Sequence, residues 1–167
     1  FTVAVLQNLN WTTATTLPAP SAVYPDRLEY SFSANNEFTG GNEFRLIDLR
    51  STRGRVSPRV TQVSFEPNST RAVLMPDRPR TAAYFSEPDF NGGYYIRNRD
   101  ALSGTEALTA DYLTVNFRLQ IPMRQDNARI YVWGAMSDWQ TDSRFELVYN
   151  DATGMYESNI PLKQGVY

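Results

Sequence analysis

The chain has 167 residues, of which 41% are hydrophobic and 20% charged, with a formal net charge of −2. Those proportions describe a folded globular chain, because disordered chains carry fewer aromatics and more net charge. The absence of cysteine and histidine excludes thiolate or imidazole ligation of zinc, and it excludes the Ser-His-Asp and Cys-His arrangements that activate nucleophiles. No clustered basic stripe offers a footprint for nucleic acid. The Arg50 to Arg59 run, with Arg53 and Arg55, reads as a solvated loop or edge decoration. No stretch approaches the roughly 20 apolar residues of a membrane helix. Ten tyrosines and nine phenylalanines suit half-buried pleated surfaces, so strands should dominate.

In chain order, strands are predicted at Phe1 to Gln7, Arg27 to Ser33, Asn42 to Arg50, Arg59 to Phe65, Thr70 to Met75, Arg80 to Ser86 and Tyr94 to Asn98. They continue at Asp111 to Gln120, Arg129 to Ala135, Arg144 to Tyr149 and Met155 to Leu162. Between Asp111 and Gln120 the alternation is clean: Leu113, Val115, Phe117 and Leu119 should be buried, while Thr114, Asn116 and Arg118 face solvent. Turn residues separate the strands, at Thr39 to Asn42, Pro67-Asn68, Asp89 to Gly93, Asp126-Asn127 and Asn150 to Gly154. Gly104 to Asp111 has room for one helical turn. Two prolines in Met75-Pro76-Asp77-Arg78-Pro79-Arg80 interrupt strand pairing and suggest a domain boundary. The reading is all-β: two tandem antiparallel immunoglobulin-like β-sandwiches of the early-set type, 1–78 and 79–167, each incomplete at its outer end and cut from a longer protein.

Carboxylates are the remaining route to catalysis. Glu43 with Asp48, or Asp138 with Asp142, would have to flank a cleft as an acid-base pair. In the alternation Phe44-Leu46-Asp48 the aspartate falls on the apolar face, where pairing with Arg45, Arg50 or Arg53 is the structural explanation. Asp89 and Asn91 lack the oxygen count of a calcium site, so no metal or cofactor is expected. Asn10-Trp11-Thr12 and Asn68-Ser69-Thr70 are glycosylation-type triplets of the kind that arise by chance.

The segment from Ile130 to Gln140 runs a strand into Gly134-Ala135 and then a turn that presents Trp139. It resembles the signature of glycogen- and starch-binding sandwich modules, in which such a tryptophan stacks on a sugar. The partner aromatic expected further along would lie past Tyr167, so packing of Trp139 against its own turn is the preferred role. Trp133 is expected to pack inward or between domains.

A longer resemblance covers the whole chain. It rests on Val5-Leu6-Gln7-Asn8 with Trp11, Gly41 to Ser51, Met75 to Arg80, Phe90 to Asn98, Ala110-Asp111-Tyr112 and Leu162 to Tyr167. In this order and spacing they resemble the plug-protein family of the Bacteroidetes type IX secretion system. The loop Thr12 to Pro25 is richer in Ala, Thr and Pro than that pattern, and alternating charges are sparser. What the resemblance implies is a periplasmic, non-enzymatic protein associated with the outer membrane, whose partner is the large β-barrel translocon that it closes, without inserting into the membrane itself. A carbohydrate-binding module and a structural spacer are the alternatives, with Trp139 and Trp133 as contact residues for sugar or protein.

Overall fold

The beginning of the chain holds two short hairpins, each pairing two residues a side. A computed structural model describes residues 2–7, 11–31, 44–53, 57–81, 87 and 89–167, and divides the chain into units 1–42 and 43–167. In the first unit β1 (Ala4–Val5) pairs with β2 (Thr15–Thr16), and β3 (Ala22–Val23) with β4 (Leu28–Glu29). Pro25 supplies the fixed φ that the β3–β4 turn needs at its first central position. The Tyr24 N–H closes that turn by donating to the Arg27 carbonyl at 2.9 Å.

The second unit carries β5 (Val60–Glu66), β6 (Ser69–Leu74), β7 (Tyr95–Ile96), β8 (Tyr112–Leu119), β9 (Ile130–Tyr131), β10 (Glu146–Asn150), β11 (Met155–Lys163) and β12 (Gly165–Val166). Six of them form one sheet in the order β5-β6-β8-β11-β10-β9, and β12 pairs with β7 in a second, smaller one. Asp48 bridges to Val166, and Ile47 and Tyr167 exchange backbone bonds of 2.8 and 2.9 Å, so the 47–49 segment widens the small sheet. Pro161 sits in β11 without disrupting it. It faces β8 on one side only, since β10 pairs just with residues 155–157 and no ladder donor is required on the other.

The two sheets enclose the core in a sandwich-like arrangement. Ile47 and Leu49 come from the small sheet; Val60, Leu74, Leu113, Val115, Phe117, Leu147 and Ile160 come from the large one. The chain changes sheets at Gln164, where Gly165 runs so close to the Tyr95 carbonyl that a side chain has no room.

Three expectations are corrected by this arrangement. The boundary at residue 78 is not realised: β6 and β8, on either side of Met75 to Arg80, pair in parallel from Thr70↔Leu113 to Val73↔Asn116. Asp77, between the two prolines, keeps its own donor and acceptor and bridges to the end of β8, with bonds of 2.8 Å to the Arg118 carbonyl and from the Gln120 N–H. The prolines end regular pairing without ending the sheet. The chain is all-β as predicted, but its larger unit begins near residue 43, and a parallel pair enters an otherwise antiparallel sheet.

The second correction concerns the outer face of β8. Leu113, Val115 and Phe117 are buried as expected, and Leu119 is partly so. Asn116, however, is buried, because it donates to the Asn159 side chain at 3.1 Å beneath Arg71, which reaches the same oxygen at 3.3 Å. Arg118 folds back onto the Leu74 carbonyl through two bonds of 2.9 and 2.6 Å. A central strand between two long neighbours is covered by their side chains on both faces. The third correction is the phase of the 44–50 run: Ile47 and Leu49 face the core, which leaves Asp48 on the opposite side. Of the predicted strand at Arg80 to Ser86, residues 82–86 lie outside the described residues, and within Gly104 to Asp111 the Thr109 N–H donates to the Thr105 carbonyl at 3.0 Å, the single helical turn that the segment had room for.

Candidate functional site

Two constellations bring sequence-distant residues together in the second unit, one aromatic and one polar. The aromatic one starts at Trp133, just beyond β9. The chain then makes a 3-10 turn, Ala135–Ser137, and continues through Asp138 and Trp139 with φ of 50° and 58°. Ser137, almost fully buried, holds the turn: its hydroxyl donates to the Gly134 carbonyl at 3.0 Å and accepts from the Gly134 N–H at 3.3 Å. The Trp139 N–H also reaches the Gly134 carbonyl, at 3.0 Å. These bonds swing the second indole back over the first.

The two indoles meet edge to face, with centroids 4.7 Å apart and planes at 73°. Phe44 completes the cluster, stacked on Trp133 at 6.2 Å and edge-on to Trp139 at 5.8 Å. Beneath them lies the Asn91–Gly92 turn, whose Gly92 carbonyl accepts the Ala135 N–H at 2.8 Å. Asp89 anchors both ends, with one carboxylate oxygen accepting the Phe44 N–H at 2.7 Å and the other the Asn91 N–H at 3.1 Å. That carboxylate is committed to backbone donors, in keeping with a turn rather than a cation site.

Trp139 is partly buried, as its preferred packing role requires. Trp133 is less buried than the expected inward packing: it is 42% exposed, with Phe44 stacked on it and Trp139 crossing it edge to face. Sequence reasoning missed Phe44 and Gly92 as members of this site. The Asn-Gly-Gly run signalled a tight turn, but nothing local indicated that two indoles would lie over it. The clustered side chains are apolar and aromatic, so they can bind by stacking and exclusion of water and carry no proton-transfer group of their own.

The polar seam draws on the resemblance motifs that lie in the second unit; Val5 to Asn8 with Trp11 belong to the first. Arg45 donates to Asp77 at 2.6 Å and to the Arg78 carbonyl at 3.0 Å. Arg50 grips Asp48 through Nε and Nη2 at 2.9 and 2.6 Å, and its Nη1 donates to the Tyr95 hydroxyl at 2.8 Å. The Arg50 side chain holds the Asp48 carboxyl below its ordinary pKa, with burial opposing it. Gln164, 4% exposed, exchanges bonds with the Asp111 backbone and donates to Asn98 at 3.2 Å. Tyr167 donates to the Lys163 carbonyl at 2.9 Å, and burial next to Tyr94 pushes its phenol up to about 12.

The carboxylates considered for catalysis are therefore separated or occupied. Asp48 is bound by Arg50, and Asp142 accepts three bonds from Arg144, at 2.7 to 2.9 Å. Asp138 is exposed on its turn, and Glu43 lies outside the described residues. The basic run is divided the same way: Arg59 pairs with Glu87 at 2.7 Å, Arg53 is exposed, and Arg55 lies outside the described residues. Among the described residues no helix is long and apolar enough to cross a membrane.

No protein-family model matches the chain, and no curated protein does either. Among solved structures it is similar to the crystal structure of a hypothetical protein from Parabacteroides merdae, with 27% sequence identity and a TM-score of 0.78. The likeness covers 99% of this chain and 41% of that one, so this chain spans less than half the length of its structural neighbour.

Proposed function

We propose that this chain belongs to a non-catalytic plug that faces the periplasm and closes the outer-membrane β-barrel translocon of the type IX secretion system when no cargo occupies it. We infer in addition that its larger unit is one immunoglobulin-like sandwich. The observation that carries the reading is the convergence of the resemblance motifs of the second unit: Arg45 on Asp77, Arg50 on Asp48 and Tyr95, and Gln164 on Asn98 and Asp111. Residues that depend on one another for bonding explain why order and spacing matter across so long a stretch. A close-packed sandwich resists deformation, which is what a stopper needs. Its contact with the barrel must stay modest, since a large obligate interface would not release for cargo.

The test is association of the purified chain with a purified translocon barrel, read by co-elution and by loss of barrel conductance when the chain is added. Co-elution with reduced conductance supports the plug; a barrel that neither binds the chain nor changes its conductance overturns it. The open part of Trp133 beside Trp139 favours a second reading, a carbohydrate-binding module of an envelope protein.

A further inference from the structure

Among the described residues β5 is an edge of the large sheet, with β6 on one side and no strand on the other. From Val60 to Phe65 it carries neither charge nor proline. Edge strands in soluble proteins are commonly protected by such residues or by bulges. Here the bulge between Val60 and Gln62 blunts the beginning, and Pro67 closes the end. The open template is the piece between them.

The ladder decides which backbone groups that piece presents. Glu66 and Ser69 flank a two-residue hairpin loop and so exchange bonds, which makes Ser64↔Arg71 the next bonded pair. The N–H and C=O of Val63 and Phe65 therefore point away from β6. Val63 packs against the core, whereas Phe65 is 61% exposed. Backbone groups without a strand partner among the described residues and an uncovered aromatic coincide on the same residues.

We propose that β5 pairs antiparallel with β5 of a second copy of this chain, about a two-fold axis at Ser64. In that register Val63 of each copy lies opposite Phe65 of the other, both outward-facing residues find bonding partners, and each phenyl ring is covered by a valine. Gln62 meets Glu66 on the other face, where no like charges are opposed. Arg118 reaches across that face to the Thr61 hydroxyl at 3.4 Å, so its positive charge lies on the side that Glu66 of the other copy enters. Moving the register by two residues one way sets Val63 against Pro67, which has no N–H; moving it the other way sets Phe65 against the bulged Thr61. The pairing is isologous, as a two-fold dimer requires, and it does not depend on the plug reading.

The chain has no cysteine, so Ser64→Cys introduces a single thiol. Residues opposite each other at a non-bonded antiparallel position have Cα atoms about 4.5 Å apart, within the roughly 4.4 to 6.8 Å that a disulfide spans. Under mild oxidation S64C should run at twice the monomer mass, far faster than Val148→Cys, which is exposed on β10 away from this edge. Adding Phe65→Lys should abolish the cross-link and Phe65→Thr should slow it, with circular dichroism unchanged in both. Sedimentation of the unmodified chain should show its mass rising toward double with concentration. A mass that stays monomeric at every concentration overturns the proposal. So does S64C cross-linking no faster than V148C, or a dimer that persists in F65K.

Discussion

A methyl group built on Gly92 would lie 2.7 Å from Cη2 of Trp139 and 2.9 Å from Cε1 of Phe44, so the absence of a side chain at Gly92 is what lets the two rings close over the turn. The glycine also has φ of +68°, a backbone conformation that other residues adopt at a cost. Gly92→Ala should destabilise the chain by about 1–3 kcal/mol through overpacking and backbone strain together, and should shift the emission of the tryptophans it displaces. Gly104→Ala is the comparison: φ there is +91°, with open space around the added carbon. Urea denaturation followed by fluorescence separates the two, and equal losses at both positions would remove the packing part of the argument.

Asp48 gives the acid limb of stability a definite direction. Its carboxyl is held below the ordinary pKa first by the Arg50 side chain and also by the Arg50 N–H at 3.1 Å, while burial opposes both. A pKa depressed in the fold stabilises the protein above the unfolded value, near 3.8, and that contribution is lost as pH falls through the folded value. Asp48→Asn should therefore be less stable than the parent by a constant amount above about pH 5, and the gap should narrow as pH falls below about 4. The side chain is 29% exposed, which moderates the effect. Denaturant titrations across that range measure it, and a gap that widens on acidification contradicts the assignment.

The strength of a local pattern decided what the sequence could reveal. β8 and β11 were legible because their apolar residues keep one phase, and their pairing follows it residue by residue from Tyr156↔Leu119 to Lys163↔Tyr112. The run from Phe44 to Leu49 has apolar residues in both phases, Phe44 with Leu46 and Ile47 with Leu49. Bonding of Ile47 to Tyr167 and of Leu49 to Gly165, far along the chain, selects the second. Pro76 and Pro79 correctly marked the end of β6, but a strand end resembles a domain end until a distant partner is known. That partner, β8, begins more than thirty residues later. The Trp139 turn was visible in its own sequence, whereas Phe44 and Gly92 enter the site from segments that carry no local sign of it.

Phe117 is the largest inward residue of the central strand and 8% exposed. Phe117→Ala should cost about 3–5 kcal/mol, combining lost transfer energy with an unfilled cavity. Leu119→Ala, two residues further along the same face, should cost less, because Leu119 is only partly buried. Equilibrium unfolding of the two variants gives the order, and a larger loss at Leu119 would place the packing centre of the sheet elsewhere.

Trp133 separates the two readings of the aromatic cluster. A sugar-binding platform needs aromatic faces that a glycan can lie across, but the Trp133 and Trp139 planes cross at 73° and Phe44 stacks on Trp133. One free indole surface rarely gives useful affinity for a sugar once the cost of association is counted, while an exposed tryptophan flanked by the partly buried Phe44 and Trp139 suits a protein contact. Glucan titration should leave tryptophan fluorescence without a saturable change. Trp133→Ala should retain the fold, since the residue is 42% exposed, and on the proposed plug reading it should weaken association with the translocon barrel by at least about tenfold, or about 1.4 kcal/mol. Saturable quenching by an oligosaccharide, lost in Trp133→Ala or Trp139→Ala with folding intact, would assign the cluster to carbohydrate. Unchanged barrel affinity in Trp133→Ala would move the protein contact to another face of the sandwich.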